Sequence, residues 1–319
     1  MIPLPFSSPL LDPYRNMRDR TLRGESLFIA EGDLVVERLL DSRFSVESVM
    51  VVDRAVPRVG EMLERKVPKG VPIYVVAFSE VAELVGFPFH QGVLAVGRRE
   101  ALWTVDNLTA EVNDSRDWSE RSERNDRIEP SDRSLFPEDR KEVGNHSPSL
   151  SGRSASLREA PVPAVKSRRQ CIVVMPDVTK PDNLGNVFRC SAALGASGIL
   201  LGPQACDPLS RRAMRVSMGG VMQMPWAKSE NLAEDLTILK GRYGYTIYGT
   251  VIDENAQPLR EVVWAEKSVL CFGNEYTGLT PEVLEFCDMR VTIPMSRGVD
   301  SLNLGVSAGI FLYELMIDN

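Results

Sequence analysis

Histidine is almost missing from this chain: it has only His90 and His146. Imidazole is the side chain that ordinarily titrates near neutral pH, so a histidine general base has two places to come from. Cysteine is sparse too, with five residues at positions 171, 190, 206, 271 and 287. They form no C-x-x-C pair and have no histidine beside them. A structural zinc site needs a tighter cluster, so no metal is expected. Reduced, mostly buried thiols in a cytoplasmic protein are the expectation. No apolar run approaches the length of a membrane span. Met1-Ile2-Pro3-Leu4-Pro5-Phe6 is broken by prolines and lacks a basic stretch before a long apolar one, unlike a signal peptide. A G-x-G-x-x-G fingerprint is absent, which disfavours a Rossmann dinucleotide site. The net charge of −7 argues against a broadly basic nucleic-acid coat and leaves room for a local arginine patch.

What is present is enough for two cores. The 319 residues are 43% hydrophobic and 25% charged, an ordinary globular balance at a length that allows two domains. Residues 1–102 read as a small α/β domain. Leu27-Phe28-Ile29-Ala30 is a short apolar run, and Gly32 to Leu40 follows with helical spacing. Val46 to Val52, Val71 to Val76 and Gly92 to Val96 read as strands, and Phe78 to Val85 as a helix. Residues 103–168 mix opposite charges with serine and proline, as in the stretch Asp114 to Arg127, and carry few aliphatic side chains. Too little apolar surface is available there to offset the entropy of ordering, so a disordered linker is expected. Alternating charge over 116–127 supports a transient helix, and Trp118, Leu135 and Phe136 are the only candidate anchors.

Residues 169–319 are organised again. Cys171 to Met175, Gly198 to Leu201, Tyr245 to Val251, Val269 to Phe272 and Met289 to Ile293 read as strands. Helices are expected over Asn183 to Leu194, ending at Gly195, from Asp207-Pro208 through Arg211, Arg212 and Arg215, and over Leu302 to Met316. Strands alternating with helices imply a mostly parallel sheet.

Three short motifs stand at strand ends: Pro181-Asp182-Asn183-Leu184-Gly185-Asn186-Val187-Phe188-Arg189, Gly273-Asn274-Glu275-Tyr276-Thr277-Gly278-Leu279, and Ile293-Pro294-Met295 with Ser301-Leu302-Asn303. Ligands of open α/β sheets bind where loops leave the C-terminal ends of strands, so the spacing predicts one shared site. Together the motifs resemble those of the SpoU (TrmH-like) RNA ribose 2′-O-methyltransferases, over about residues 171–318. Phe28-Ile29-Ala30-Glu31-Gly32 and His90-Gln91-Gly92-Val93-Leu94-Ala95-Val96 look like the ribosomal-protein-like substrate-binding domain that many such proteins carry first. The resemblance implies an α/β domain closed by a trefoil knot, S-adenosylmethionine as cofactor, ribosomal or transfer RNA as substrate, and a homodimer. By motif, Gly273, Ile293, Met295, Ser301 and Leu302 would line the cofactor site. Arg189, Asn183, Glu275, Ser301 and Asn303 match the catalytic set.

Plainer readings stand beside these. Arg189 alone is an ordinary surface charge, and Glu275 an ordinary structural carboxylate. Ser301 and Asn303 suit the start of a helix. Arg211, Arg212 and Arg215 read either as a solvated face or as RNA-phosphate contacts. Ser217-Met218-Gly219-Gly220 permits tight packing, and His90 reads as structural. A guanidinium is effectively always protonated, so Arg189 is expected to hold an RNA phosphate and orient the hydroxyl, with that phosphate or a water taking the proton. Two rivals remain open at this point: a methyltransferase acting on a base nitrogen, and a non-catalytic RNA-binding or ribosome-assembly factor.

Overall fold

The strand Val46–Val52 (β3) buries all but one of its residues. Such a run has too few polar positions to face water on either side, and it lies inside a sheet. In the computed structural model, which describes residues 1–17, 26–101, 103–114, 169–296 and 301–316, two sheets are built around runs of this kind. The first contains Ile2–Pro3 (β1), Leu27–Glu31 (β2), β3, Ile73–Val76 (β4) and Val93–Arg98 (β5) in the order β1-β4-β3-β5-β2. It is mixed: β3 pairs parallel with β4 and antiparallel with β5. Three helices accompany it, Asp33–Leu40 (α1), Val56–Lys66 (α2) and Phe78–Val85 (α3).

The second sheet has seven strands: Gln170–Met175 (β6), Gly198–Leu201 (β7), Trp226–Lys228 (β8), Thr246–Thr250 (β9), Gln257–Pro258 (β10), Lys267–Phe272 (β11) and Met289–Thr292 (β12). Their order is β10-β12-β9-β11-β6-β7-β8. Every pairing is parallel, as the strand–helix alternation implied. The chain steps outward from β6 to β7 and β8 on one side, while β11 lies on the other side of β6. That reversal makes the β6/β11 boundary a topological switch point, where loops diverge and leave a crevice.

The expectation of a linker from residue 103 is corrected at its start. Val105–Asp114 is a helix (α4), with Val105, Leu108 and Val112 buried beneath the second sheet. Thr104 Oγ1 accepts the Asn107 N–H at 3.3 Å, and Asn107 Oδ1 accepts the Thr104 N–H at 3.0 Å, a reciprocal cap. The polar majority of this helix hides three apolar residues at helical spacing. The transient helix expected over 116–127, and the anchors Trp118, Leu135 and Phe136, lie outside the described residues.

Other helix boundaries follow local chemistry. Pro181–Leu194 (α5) begins on a proline and ends at Gly195. The helix expected from Asp207-Pro208 begins later, at Arg211–Val216 (α6), where Ser210 caps it through the Ala213 N–H. Asp207 instead pairs with Arg99 at 2.5 Å. Short helices follow at Gly220–Gln223 (α7), Leu232–Gly241 (α8) and Pro281–Phe286 (α9). The closing helix spans Leu304–Met316 (α10). Its Phe311, Leu312 and Leu315 are buried and serve as core.

The two sheets share one hydrophobic cluster, which runs from Leu11 and Phe28 to Leu312 and Leu315. Polar contacts reinforce the junction. Arg211 donates to Glu31 at 2.7 Å and to the Met17 carbonyl at 3.1 Å, and its guanidinium lies 4.4 Å from the Phe87 ring centre. Glu31 is buried, so this pair replaces the water both charges lose.

Candidate active site

Strands β6 and β11 are neighbours, and the loops leaving their C-terminal ends carry the first two motifs. Gly273 follows β11 directly. A Cβ there would stand 2.2 Å from the Gly278 carbonyl carbon and 2.3 Å from the Leu279 nitrogen, so only glycine lets the loop fold back this closely. Asn274 and Gly278 exchange both backbone hydrogen bonds at 3.0 Å, which closes the motif into a tight loop. The Asn274 side chain donates to the Asp177 carbonyl at 2.8 Å and so ties this loop to the one after β6.

Asn183, in the first turn of α5 and buried, joins all three motifs. Its Nδ2 donates to Glu275 Oε1 at 2.7 Å, and its Oδ1 accepts from Asn303 Nδ2 at 2.9 Å. Asn303 Oδ1 in turn accepts the Gly305 N–H at 2.9 Å. The helix-start role therefore belongs to Asn303. These bonds fix the Asn183 amide orientation, because only one arrangement supplies a donor to the carboxylate and an acceptor to Asn303. Glu275 Oε2 is buried and has no hydrogen-bond partner among the described residues. A buried carboxylate oxygen left this way is costly and suits a donor brought by a ligand.

The remaining expected residues are dispersed around this centre. Ile293 and Met295 follow β12 on the same sheet edge and are half-buried, and Ser301 and Leu302 precede Asn303, exposed. Arg189 lies on α5, six residues beyond Asn183 and therefore on a different face at 3.6 residues per turn. It is exposed and makes no contact with the Asn183–Glu275–Asn303 cluster. Of the three arginines on α6, Arg211 is committed to Glu31 and Arg212 to Asp182 at 2.7 Å. Arg215 is exposed, with no ion pair among the described residues. For Arg211 the expected RNA contact is corrected to a junction contact, because its guanidinium points back at the first sheet.

Some neighbours escaped the sequence reading. Lys180 Nζ lies 4.4 Å from the ring centre of Tyr276, and the Tyr276 hydroxyl holds the Lys180 ammonium above its ordinary range. Tyr276 is 77% exposed, at the tip of the second motif loop. A motif pattern marks the positions with fixed identity, and Tyr276 and Lys180 sit between them. A groove of about 520 Å³ runs between α5 and α10, lined by Asn186, Cys190, Asn303, Val306, Ile310 and Tyr313. Burial raises the Cys190 thiol, which keeps it a weak nucleophile. No group able to hold a metal is found among the described residues.

Comparison with known proteins agrees with this arrangement. Residues 170–313 match the model of the SpoU rRNA Methylase family. An uncharacterized tRNA/rRNA methyltransferase of Mycobacterium bovis is 31% identical over 314 residues, covering 96% of this chain and 88% of its own. The 23S rRNA (guanosine-2′-O-)-methyltransferase RlmB of Acinetobacter baylyi is 26% identical over 257 residues, 81% of this chain and 83% of its own. The structure of an AdoMet-bound rRNA methyltransferase from Sinorhizobium meliloti superposes with a TM-score of 0.66 at 21% identity, over 98% of this chain and 96% of that one. An α/β fold with a parallel sheet is common to both structures. The chain belongs to the SpoU rRNA methylase family.

Proposed function

We propose that this protein transfers a methyl group from S-adenosylmethionine to a ribose 2′-hydroxyl of structured RNA, ribosomal or transfer. The observation that carries the reading is the Asn183 bridge, which joins Glu275 and Asn303 from the other two motifs. Residues 1–102 form the RNA-binding domain. Residues 169–319 form the catalytic domain, with a trefoil knot in its last segment.

The residues fit the cofactor. A loop pinned by Gly273 presents backbone amides and carbonyls without a side chain in the way, and the free Glu275 oxygen awaits a donor. Gly273, Ile293, Met295, Ser301 and Leu302 hold the cofactor, which supplies an electrophilic methyl on a sulfonium. Asn183, Glu275 and Asn303 keep the motif loops in one geometry, and holding reactants in a near-attack arrangement supplies much of such a rate. Arg189 binds the phosphate next to the target ribose and orients the hydroxyl. The proton leaves to that phosphate or to a water. His90 is exposed at the end of a loop beside the first sheet and takes no part.

The protein acts as a homodimer in the cytoplasm. The groove between α5 and α10, with Val306 51% and Tyr313 55% exposed, supports a second copy at that face, since apolar side chains in a continuous groove favour a covering partner.

The test is methyl transfer from labelled S-adenosylmethionine to ribosomal and transfer RNA taken from cells lacking the gene. Nucleoside mass spectrometry locates the methyl group, and Arg189→Ala runs alongside. A 2′-O-methylated nucleoside made by the wild type and lost in the variant is expected. A methyl on a base nitrogen, or cofactor binding without transfer to either RNA, would overturn the reading.

A further inference from the structure

Arg189 is exposed, and its guanidinium meets no carboxylate among the described residues. Its charge acts on an arginine carried by helix α1 of the first sheet. Arg38, in the last turn of α1, extends over the turn Ser217-Met218-Gly219-Gly220. Its Nη1 donates to the Met218 carbonyl at 2.5 Å, and its stem lies against Gly219, where a Cβ would stand 2.9 Å from Arg38 Cδ. Gly219 has φ +82°, so the turn is built to admit this side chain. On its other side the same turn rests on α5: a Cβ at Gly220 would stand 3.5 Å from the Phe188 carbonyl oxygen, one residue before Arg189. Helices α1 and α5 thus meet across four residues, each bringing an arginine.

The acidic groups nearby are already engaged. Glu31 pairs with Arg211, Glu37 and Asp41 with Lys66, Asp33 with Arg58 and Asp182 with Arg212. Burial, and then the charge of Arg189, hold the Arg38 guanidinium below its ordinary value, with Glu37 opposing them, so the two like charges lie close enough to act on one another. Among the described residues Arg38 donates to one main-chain oxygen, which leaves most of its N–H donors available there. Two guanidiniums carried to the same turn by α1 and α5, each with a planar donor fork, match a phosphate diester.

We infer that Arg38 is an RNA-phosphate ligand that works with Arg189, so that the first sheet supplies part of the active-site surface in addition to carrying substrate. The inference rests on the RNA methyltransferase reading and goes beyond it by naming a residue and its ligand. Arg189 takes the phosphate beside the target ribose, and Arg38 takes an adjoining one. The contact is to backbone, so it positions the strand and is indifferent to base identity.

The salt dependence of RNA binding tests this directly. Each phosphate contact on a single strand contributes about 0.7 to the slope of log affinity against log salt, and about 0.9 on a duplex. With ribosomal and transfer RNA from cells lacking the gene as probes, Arg38→Gln is expected to flatten the slope by about that amount. It should raise KM for RNA about tenfold, the scale of one charge-assisted hydrogen-bonded contact, with S-adenosylmethionine affinity unchanged by calorimetry. Arg38→Lys should keep the wild-type slope, because it keeps the charge. A second measurement needs no variant: phenylglyoxal modification of Arg38 in the wild-type protein, read by mass spectrometry, should be blocked by bound RNA. An unchanged slope in Arg38→Gln, or equal labelling of Arg38 with and without bound RNA, would overturn the inference and leave the methyltransferase reading standing. Failure of the wild type to bind either RNA would overturn both.

Discussion

Asn183 and Glu275, 92 residues apart in the chain, meet in a hydrogen bond of 2.7 Å between the first turn of α5 and the loop after β11. Among the described residues the second Glu275 oxygen is buried and has no hydrogen-bond partner, so the Asn183 amide carries the hydrogen bonding of this carboxylate there.

Replacing that amide by a second carboxylate should make the site sensitive to pH. In Asn183→Asp two carboxylates face one another, and one of them is held protonated to higher pH than usual. Stability and methyl transfer should both fall as pH rises from about 5 to 8, a trend absent in the wild type. Asn183→Ala should cost about 1–3 kcal/mol with no such trend. Thermal melts and initial rates across that range distinguish the two.

Gly273→Ala places a methyl group 2.2 Å from the Gly278 carbonyl carbon and 2.3 Å from the Leu279 nitrogen, far inside van der Waals contact. The obstruction is backbone, so the loop must move as a whole. Loss of S-adenosylmethionine binding is expected, with the rest of the fold retained. Calorimetry beside circular dichroism checks both halves of that statement.

Arg211→Ala and Arg212→Ala should separate cleanly although the residues are adjacent. Removing Arg211 strands Glu31, whose side chain is only 7% exposed, and such a loss costs about 3–5 kcal/mol. Arg212 and Asp182 are both about half exposed, and their pair is worth at most about 1 kcal/mol. Denaturant unfolding should show the first effect and nearly miss the second.

Alkaline conditions should weaken the fold through buried acids. Burial pushes the Cys171 thiol well above its ordinary value and Tyr245 up to about 12. Above about pH 8.5 the unfolded chain releases the thiol proton while the folded chain keeps it. Stability is therefore full below that pH and declines as pH rises further. Cys171→Ala should flatten the decline in melts between pH 8 and 10.

Among the described residues no histidine stands at the Asn183–Glu275–Asn303 cluster, which predicts a pH–rate profile without an inflection near the usual imidazole value of about 6.5. A clear step there, removed by His90→Ala, would give the proton to a histidine and contradict the phosphate or water route.

Much of this was legible in the residues themselves. The runs Val46–Val52 and Gly198–Leu201 matched their strands, and Phe78–Val85 matched its helix, because unbroken apolar runs and local periodicity act over a few neighbours. The motif positions marked the sheet edge for the same reason: glycine and proline set their own backbone. Helix α4 was hidden because its three buried apolar residues are outnumbered by polar ones. Asp207-Pro208 misled because a capping carboxylate can be taken by any donor in space: Arg99 donates to Asp207 while Ser210 caps the helix. Only the tertiary structure decided that Arg211 faces Glu31 across 180 positions, that Asn303 reaches Asn183 across 120, and that Arg38 reaches the Met218 carbonyl across 180. Those meetings depend on strand order and on how two sheets share one core. Strand order is settled by the sum of packing over the whole chain, and no short stretch of sequence contains it.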